Sequence, residues 1–242
     1  MKARSLVTSR RRPRVVGVIT SPAELDFAIR MSQPPDLFEL RLDRLVHPTS
    51  QGSGAAGVLD RLDNKISKLR APLIITARHP MEGGANRLSS RQRYDLLARF
   101  LSRAHYVDVE LRCAPLLRSL LRVGRKQSTR CIISVHHLKT TPSPNRLRIQ
   151  ARAAKTYGAD IFKVATRADT PAQLKRLIEF VTAKNVDIAV SAMGIGKLGP
   201  ASRVLLACCG SALVYVSLGT ATDIEGQISL EQFRALGMAP PC

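Results

Sequence analysis

A lysine interrupts one of the apolar segments of this sequence. Lys163 stands in IFKVA (161–165), whose other members suit a buried β-strand. Burial disfavours the charged form of a lysine, and neighbouring cations disfavour it further. A neutral amine is a nucleophile toward ketones. Lys163 is therefore the first candidate catalytic residue; the alternative is a lysine whose flexible stem carries its amine out to solvent.

A histidine follows a second apolar segment. His136 comes directly after CIISV (131–135), where a neutral imidazole can transfer protons near pH 7. The alternative is a hydrogen-bonded structural histidine. The sequence holds five histidines and no H-x-H or H-E-x-x-H pattern, so a catalytic metal is not predicted.

Two sets of charged residues alternate along predicted strands. Glu39, Arg41 and Asp43 form one set, and Asp108 and Glu110 form the other, so the members of each set share one strand face. Alone, such alternation is typical of an antiparallel sheet with one face in solvent. In a closed parallel barrel both faces are covered, and inward charges must be paired or functional.

Three more charged residues lie where predicted strands end. Arg78 ends the third strand, and Glu82 begins an E-G-G sequence in the loop after it. The glycines permit a tight turn that brings the carboxylate over the barrel mouth. Arg203 follows the seventh strand, where a helix N-terminus helps an arginine bind an anion. The alternative for Arg203 is a surface arginine.

Strands and helices alternate along the whole chain. The predicted strands are 15–20, 37–43, 72–78, 106–111, 130–135, 161–165, 187–192 and 212–218. The predicted helices are 22–31, 58–69, 89–103, 114–122, 144–157, 171–184, 200–208 and 230–236. The first helix opens with the capping box SPAE (21–24). Eight such pairs predict a parallel sheet closed into a single (β/α)8 TIM barrel rather than an open doubly wound sheet.

Composition and charge indicate the domain organisation, the partners and the location of the protein. The 242 residues are 45% hydrophobic and carry a net charge of +20. Residues 1–14 hold six basic residues and no acid, so we expect a flexible arm there and the barrel over 15–242. Specific nucleic-acid binding is not predicted, because no zinc knuckle or RRM motif is present; a polyanion-binding protein on a decayed barrel remains the rival. Five cysteines without C-x-x-C and no long apolar segment predict a cytoplasmic protein.

Seven motifs near the ends of the predicted strands resemble those of type I 3-dehydroquinate dehydratases, Schiff-base-forming lyases of the shikimate pathway. The resemblance extends from Val15 to Leu236. The motifs are FELRLD (38–43), TAR with EGG (76–78, 82–84), DVE (108–110), SVH (134–136), GADIFKVA (158–165), MG with SR (193–194, 202–203) and GQ (226–227). One departure is the pair of acids Asp223 and Glu225, which stand near the expected site of an anionic substrate.

The resemblance implies a mechanism for three of these residues. Lys163 forms an imine with the ketone of 3-dehydroquinate. His136 is the general acid and base of a syn elimination that yields 3-dehydroshikimate, and Glu82 orients and tunes His136. The chemistry requires no cofactor or metal. The rival is another Schiff-base barrel of the class I aldolase kind, which shares a lysine on the sixth strand.

The resemblance also assigns the residues around the substrate. The expected substrate-binding residues are Glu39, Arg41, Arg78, Met193, Arg203 and Gln227. Among them, Arg203 and Gln227 contact the substrate carboxylate, and Met193 packs against the ring. Asp108 and Glu110 support Lys163. The expected partner is a small anionic substrate, with a homodimer as an expected assembly and no membrane association.

Overall fold

Eight parallel strands form a nearly closed barrel in the computed structural model, which describes residues 12–46, 55–85, 87–183, 186–219 and 224–237. The strands are β1 (Arg14–Ile19), β2 (Leu37–Arg41), β3 (Leu73–Thr76), β4 (Tyr106–Glu110), β5 (Arg130–His137), β6 (Ile161–Arg167), β7 (Ala189–Ile195) and β8 (Leu213–Ser217). Their order is β7-β6-β5-β4-β3-β2-β1-β8. The Ala212 N–H donates to the Val190 carbonyl oxygen at 2.8 Å across the seam between β7 and β8. The predicted TIM barrel is confirmed.

Helices connect the strands and form the outer layer. They are α1 (Pro22–Arg30), α2 (Leu42–Leu45), α3 (Ala55–Ile66), α4 (Ser90–Phe100), α5 (Arg118–Lys126), α6 (Pro144–Thr156), α7 (Pro171–Thr182), α8 (Gly199–Cys209) and α9 (Leu230–Ala235). The predicted capping box is present, because the Ser21 side chain accepts from the Glu24 N–H and the Glu24 carboxylate accepts from the Ser21 N–H. Within the described ranges, no helix is long and apolar enough to cross a bilayer.

Alternation along each strand separates two buried layers. Outward side chains such as Phe38 and Phe162 join the core between the sheet and the helices. Inward side chains such as Val16, Ile74 and Ile132 fill the lower part of the barrel. The same alternation turns polar residues inward nearer the carboxyl ends of the strands. The apolar layer therefore forms the floor beneath a polar site.

Most strand boundaries differ from the prediction by one to three residues, and at two of them the contacts explain the difference. β2 ends at Arg41, and Asp43 belongs to the short helix α2. The Asp43 carboxylate accepts the Ala85 N–H at 3.1 Å, which ties it to the loop after β3 rather than to a strand face. β7 continues to Ile195 because its ladder with β6 extends to the pair of Arg167 and Ile195.

The fifth helix also begins later than predicted. Residues Leu111–Cys113 form a 3₁₀ turn and α5 starts at Arg118, not at 114. Residues 114–117 form a turn between the two, and Ala114 and Leu117 are both buried, so their i, i+3 spacing occurs here without an α-helix. Hydrophobic spacing alone could not separate the two.

The predicted basic arm is only partly described. Residues 1–11 lie outside the described ranges. Arg12 forms an ion pair with Asp36 at 2.8 Å, and Arg14 is the first residue of β1. The division into an arm over 1–14 and a barrel over 15–242 stays a prediction.

Candidate active site

One pocket opens at the carboxyl ends of the strands, where barrel enzymes place their chemistry. Nine of the eleven residues singled out from the sequence line it. They are Glu39, Arg41, Arg78, Glu82, His136, Lys163, Met193, Arg203 and Gln227. Asp108 and Glu110 are buried and do not line the pocket. The fold therefore brings together residues that are up to 188 positions apart in the sequence.

Lys163 lies at the centre of the barrel. It belongs to β6, and only 3% of the residue is exposed. Its Nζ lies 3.0 Å from Glu39 Oε1 and 2.9 Å from Asp108 Oδ2, carboxylates from β2 and β4. The Nζ also lies 3.9 Å from the centre of the Tyr215 ring, a cation–π contact. The amine is enclosed and does not extend into solvent.

Arg78 shares the carboxylates that hold the lysine. Its Nη2 donates to Asp108 at 3.1 Å and lies 3.7 Å from Glu39. Burial would raise the pKa of Asp108, but the charges of Arg78 and Lys163 outweigh it and hold that pKa below its usual range. Asp108 consequently keeps a cationic partner when the Lys163 amine loses its charge.

His136 forms a dyad with Glu82. The carboxylate Oε2 lies 2.9 Å from His136 Nδ1 and accepts the backbone N–H of His136 at 2.9 Å. Burial, together with the charges of Arg78 and Lys163, holds the pKa of His136 well below its usual range. Burial, reinforced by the charge of Glu110, raises the pKa of Glu82 to about 7. The imidazole is therefore neutral, and its tautomer depends on Glu82.

The charge of Glu82 decides which imidazole nitrogen is a base. An ionised Glu82 accepts a hydrogen bond from the Nδ1–H group. The imidazole proton is then on Nδ1, and the free lone pair is on Nε2. A protonated Glu82 donates to Nδ1 instead, and the imidazole proton then sits on Nε2. In the described part of the chain Nε2 makes no hydrogen bond. The dyad can thus expose a basic nitrogen only when the carboxylate is ionised.

Glu110 occupies a different position from the one expected. The family resemblance implies that it supports Lys163, but the structure places it against two arginines. Glu110 Oε1 lies 3.5 Å from Arg78 Nη1, and Oε2 accepts from Arg93 Nη2. Arg93 is fully buried and also donates to the Ala77 carbonyl oxygen at 2.7 Å. Glu110 therefore fixes Arg78 and acts on Glu82 through its charge.

Arg203 is a buried cation at the pocket wall. It lies in α8 with 3% of the residue exposed, and it donates to four backbone carbonyl oxygens at 2.6–3.1 Å. Among the described residues no carboxylate forms an ion pair with it. Burial alone lowers the pKa of Arg203 to about 10. A buried cation with uncompensated charge is suited to bind an anion.

The remaining predicted residues complete the wall. Arg41 binds both carboxylate oxygens of Asp43, at 2.9 and 2.8 Å, and its Nη2 also reaches the Gly83 carbonyl oxygen at 3.3 Å. Met193 is buried on β7, and Gln227 lies between β8 and α9. Arg41 is thus held rigidly, and Met193 supplies an apolar surface for a ring.

The unexpected acid Glu225 has a basic partner. Its carboxylate accepts from Arg167 Nη1 at 2.7 Å, and Arg167 Nε donates to Asp169 at 2.6 Å. Glu225 does not line the pocket. Arg167, which Glu225 shares with Asp169, thus holds the Glu225 carboxylate in an ion pair outside the pocket. Asp223 lies outside the described residues.

Tyr215 and Ser134 also belong to the site. In the sequence Ser134 stands out only as part of the SVH motif, yet its hydroxyl donates to Asp108 at 2.6 Å and accepts from Arg78 at 2.8 Å. Tyr215 lines the pocket and is absent from the predicted set. Alternation along the predicted eighth strand could have identified Tyr215, because Leu213 and Tyr215 share the inward face.

The acidic groups around Lys163 are matched by basic ones. In the ranges that the structure describes, no group of three His, Cys, Asp or Glu side chains is arranged to hold a metal ion. Glu39 and Asp108 instead contact Lys163, and Arg78 lies near both. What the arrangement offers chemically is an enclosed amine, a neutral imidazole and an anion site in one pocket.

Known proteins resemble this chain over most of its length. A family model described as type I 3-dehydroquinase matches residues 18–237. The 3-dehydroquinate dehydratase of Dehalococcoides mccartyi is 31% identical over 223 residues, 91% of this chain and 92% of the relative. That of Shouchella clausii is 30% identical over 213 residues, 85% of this chain and 81% of the relative. The crystal structure of 3-dehydroquinate dehydratase from Geobacillus kaustophilus has a TM-score of 0.81 at 24% identity, over 93% of this chain and 90% of that one.

Proposed function

The chain belongs to the type I 3-dehydroquinase family, and from this premise we propose how its pocket removes water from 3-dehydroquinate. The activity is that of a hydro-lyase of the shikimate pathway, and the product is 3-dehydroshikimate. The observation that carries the proposal is the Lys163 amine, which is enclosed in the same pocket as the neutral His136 imidazole. The roles of individual residues follow from that geometry.

The first step is imine formation on Lys163. The amine gives up a proton to the Glu39 carboxylate, which lies 3.0 Å from it, while Asp108 stays ionised beside the lysine. Its lone pair attacks the ketone carbon, and the ketone oxygen takes up one proton from the nitrogen and the proton held by Glu39. The C–O bond then breaks, the oxygen leaves as water, and the C=N bond forms. The product is a protonated imine that draws electrons from the adjacent carbon. Arg78 keeps Asp108 paired throughout this step.

The second step is elimination, with His136 as the base. Nε2 removes the proton from the carbon next to the imine, and the electron pair is delocalised as an enamine. The enamine then expels the hydroxyl group, which takes the proton from His136 and leaves as water. One imidazole serves both transfers, so the two groups depart from the same ring face. Hydrolysis of the new imine releases the product and restores the amine.

The pocket walls fix the ring for this sequence. We assign the substrate carboxylate to Arg203 and Gln227, because Arg203 is buried and has no ion-pair partner in the described part of the chain. Glu39, Arg41 and Arg78 bind ring hydroxyls, and Met193 packs against the ring. When the ring is held in this way, the reacting C–H bond faces Nε2 of His136. This orientation lowers the free-energy barrier to proton removal.

Turnover itself is the direct test of this function. The purified protein is incubated with 3-dehydroquinate, and the ultraviolet absorbance of the conjugated enone is followed. Growth of the enone signal at a rate proportional to enzyme is expected. Products of carbon–carbon cleavage without an enone would assign the barrel to the aldolase kind instead.

Replacing Arg203 should weaken substrate binding more than it slows the chemistry. Arg203→Gln removes charge-assisted hydrogen bonds to the carboxylate, each worth about 1.5–3 kcal/mol. We expect KM to rise about 10- to 100-fold with a smaller change in kcat, because the contact is made equally in the ground and transition states. Steady-state kinetics of the two proteins gives the comparison.

A neutral analogue separates this role from a packing defect. Arg203 also holds four carbonyl oxygens, so Arg203→Gln could lose activity by loosening the loop. The substrate carboxamide lacks the negative charge. If Arg203 binds the carboxylate, the preference for substrate over carboxamide collapses in the variant; an unchanged preference would refute the assignment.

The dyad predicts a loss of activity as the pH falls below about 7. Glu82 ionises with a pKa of about 7, and only its ionised form keeps the imidazole proton on Nδ1. As the pH falls through this value, Glu82 takes up a proton, Nε2 gains the imidazole proton, and the base is lost. The pH profile of kcat/KM should therefore fall on its acid side around pH 7.

Glu82→Gln is the matched control. Its amide oxygen accepts a hydrogen bond from the Nδ1–H group at every pH, so the fall in kcat/KM near pH 7 should disappear. The activity at pH 8 should be about 10- to 100-fold lower, because no negative charge then stabilises the imidazolium. A variant that keeps the same acid limb would show that another group titrates.

The assembly and the cellular location stay predictions. The resemblance predicts a homodimer, and the sequence predicts a cytoplasmic protein. Light scattering of the purified protein measures the first directly.

A further inference from the structure

The positive charge of the chain is concentrated in one continuous stretch. The net charge is +20, and residues 111–159 alone contribute eleven, since they hold eleven Lys and Arg and no Asp or Glu. Residues 1–14 contribute six more. The rest of the chain therefore carries a net charge of only +3. A generally basic composition would spread the charge evenly, so this distribution marks a particular region of the surface.

The fold places this stretch on two outer helices. Their eight basic residues form what we call the basic face: Arg118, Arg122, Arg125, Lys126, Arg146, Arg148, Arg152 and Lys155. Seven of the eight are exposed and Arg148 is half-buried. The helices border a groove of about 300 Å³, which Arg118, Arg122, Arg125 and Lys155 line. Four of the eight cations therefore line one depression.

The basic face lacks the acidic partners that other surfaces have. Of its eight residues, Lys155 alone forms an ion pair within the described ranges, with Asp187. On the α4 side, three arginines are each matched by a carboxylate. Those pairs are Arg91 with Asp95, Arg99 with Asp60, and Arg103 with Asp63. The uncompensated charge is thus a property of one face.

The chemistry of the face indicates what it binds. Six of its eight residues are arginines, whose guanidinium groups pair with phosphate oxygens in a bidentate manner. Arg118, Arg122 and Arg125 recur at i, i+4 and i+7, so they lie along one side of α5 over about 10 Å. Uncompensated cations on two helices suit an extended polyanion better than a single small anion.

We propose that the basic face binds the phosphodiester backbone of nucleic acid without sequence preference. α5 and α6 contain no aromatic residue, and the groove between them has a single ring, that of Tyr157, so successive bases find no row of rings to stack on. Recognition then rests on phosphates, which carry affinity but no sequence information. The face consists of outer helices and shares no residue with the pocket, so this binding is separate from dehydration.

Two triple variants with the same net charge test the proposal. Arg118→Gln/Arg122→Gln/Arg152→Gln removes three cations from the basic face, none of which makes an ion pair or hydrogen bond in the described part of the chain. Arg91→Gln/Arg99→Gln/Arg103→Gln removes three paired arginines from the α4 side. Fluorescence anisotropy with a labelled duplex of about 30 base pairs is measured at about 50 and 200 mM salt.

We expect duplex binding to weaken only in the variant that changes the basic face. The first variant should bind the duplex at least about tenfold more weakly at low salt. Its plot of log binding constant against log salt concentration should be less steep by the contribution of about three phosphate contacts. The second should stay within about twofold of the parent. Both variants should dehydrate 3-dehydroquinate at the parent rate.

Three results would overturn the proposal. Absence of duplex binding by the parent protein would remove the activity altogether. An equal loss of duplex binding in the two variants would show that binding depends on the net charge of the protein and not on the basic face. Competition by polyglutamate as effective as that by unlabelled duplex of equal charge would reassign the face to acidic polypeptides.

Discussion

Lys163→Ala is expected to abolish dehydration, with kcat lower by at least about 10⁴-fold. Without the amine there is no imine, and the carbanion next to the ketone loses its electron sink. Alanine also leaves the buried carboxylates of Glu39 and Asp108 without one of their cations, so a lower melting temperature is expected too. The enone assay and a thermal melt of the same sample measure both effects.

Lys163→Arg separates the nucleophile from the charge. A guanidinium keeps a cation beside Glu39 and Asp108 but stays protonated and forms no imine. We expect this variant to regain stability relative to the alanine variant while its turnover stays at background. Recovery of turnover in Lys163→Arg would mean that the positive charge alone, not covalent chemistry, accelerates the reaction.

His136→Ala is expected to lower kcat by about 10²–10⁴-fold, which is the range for loss of a general base. The imine should still form, because the attacking amine belongs to Lys163 and does not depend on the imidazole. The variant should therefore accumulate the covalent intermediate when it is mixed with substrate. Borohydride reduction followed by intact mass would show an adduct in the variant despite its slow turnover.

The neighbouring histidine provides the matched control for this variant. His137 extends from the other face of β5, and its Nε2 lies 3.1 Å from the side-chain oxygen of Gln150 in α6. His137→Ala should keep turnover within about twofold of the parent. Equal losses in the two alanine variants would contradict the role of His136 as the base.

Much of this site could be predicted from strand alternation. Once Lys163 and His136 are placed on strands of a parallel barrel, the inward face of each strand follows, and parallel strands end at the same rim. The same reasoning would have reached Tyr215 had it been applied to the eighth strand. Alternation and strand polarity are local properties, and a single sequence contains them.

Other features depended on contacts that no local pattern encodes. Arg93 reaches Glu110 from a helix, and nothing in the helical pattern around it marks a buried arginine. Asp43 leaves the strand because it binds Arg41 and the Ala85 N–H together. Glu225 looks misplaced beside an anion site until Arg167 is found next to it. Such pairs are fixed by three-dimensional packing.

The most direct test of the covalent mechanism is borohydride reduction in the presence of 3-dehydroquinate, followed by proteolysis and peptide mass mapping. Imine formation on Lys163 predicts a substrate-derived adduct on the peptide that contains Lys163 and on no other lysine peptide, together with loss of activity in proportion to labelling. An unlabelled Lys163 peptide from protein that turns over normally would contradict it.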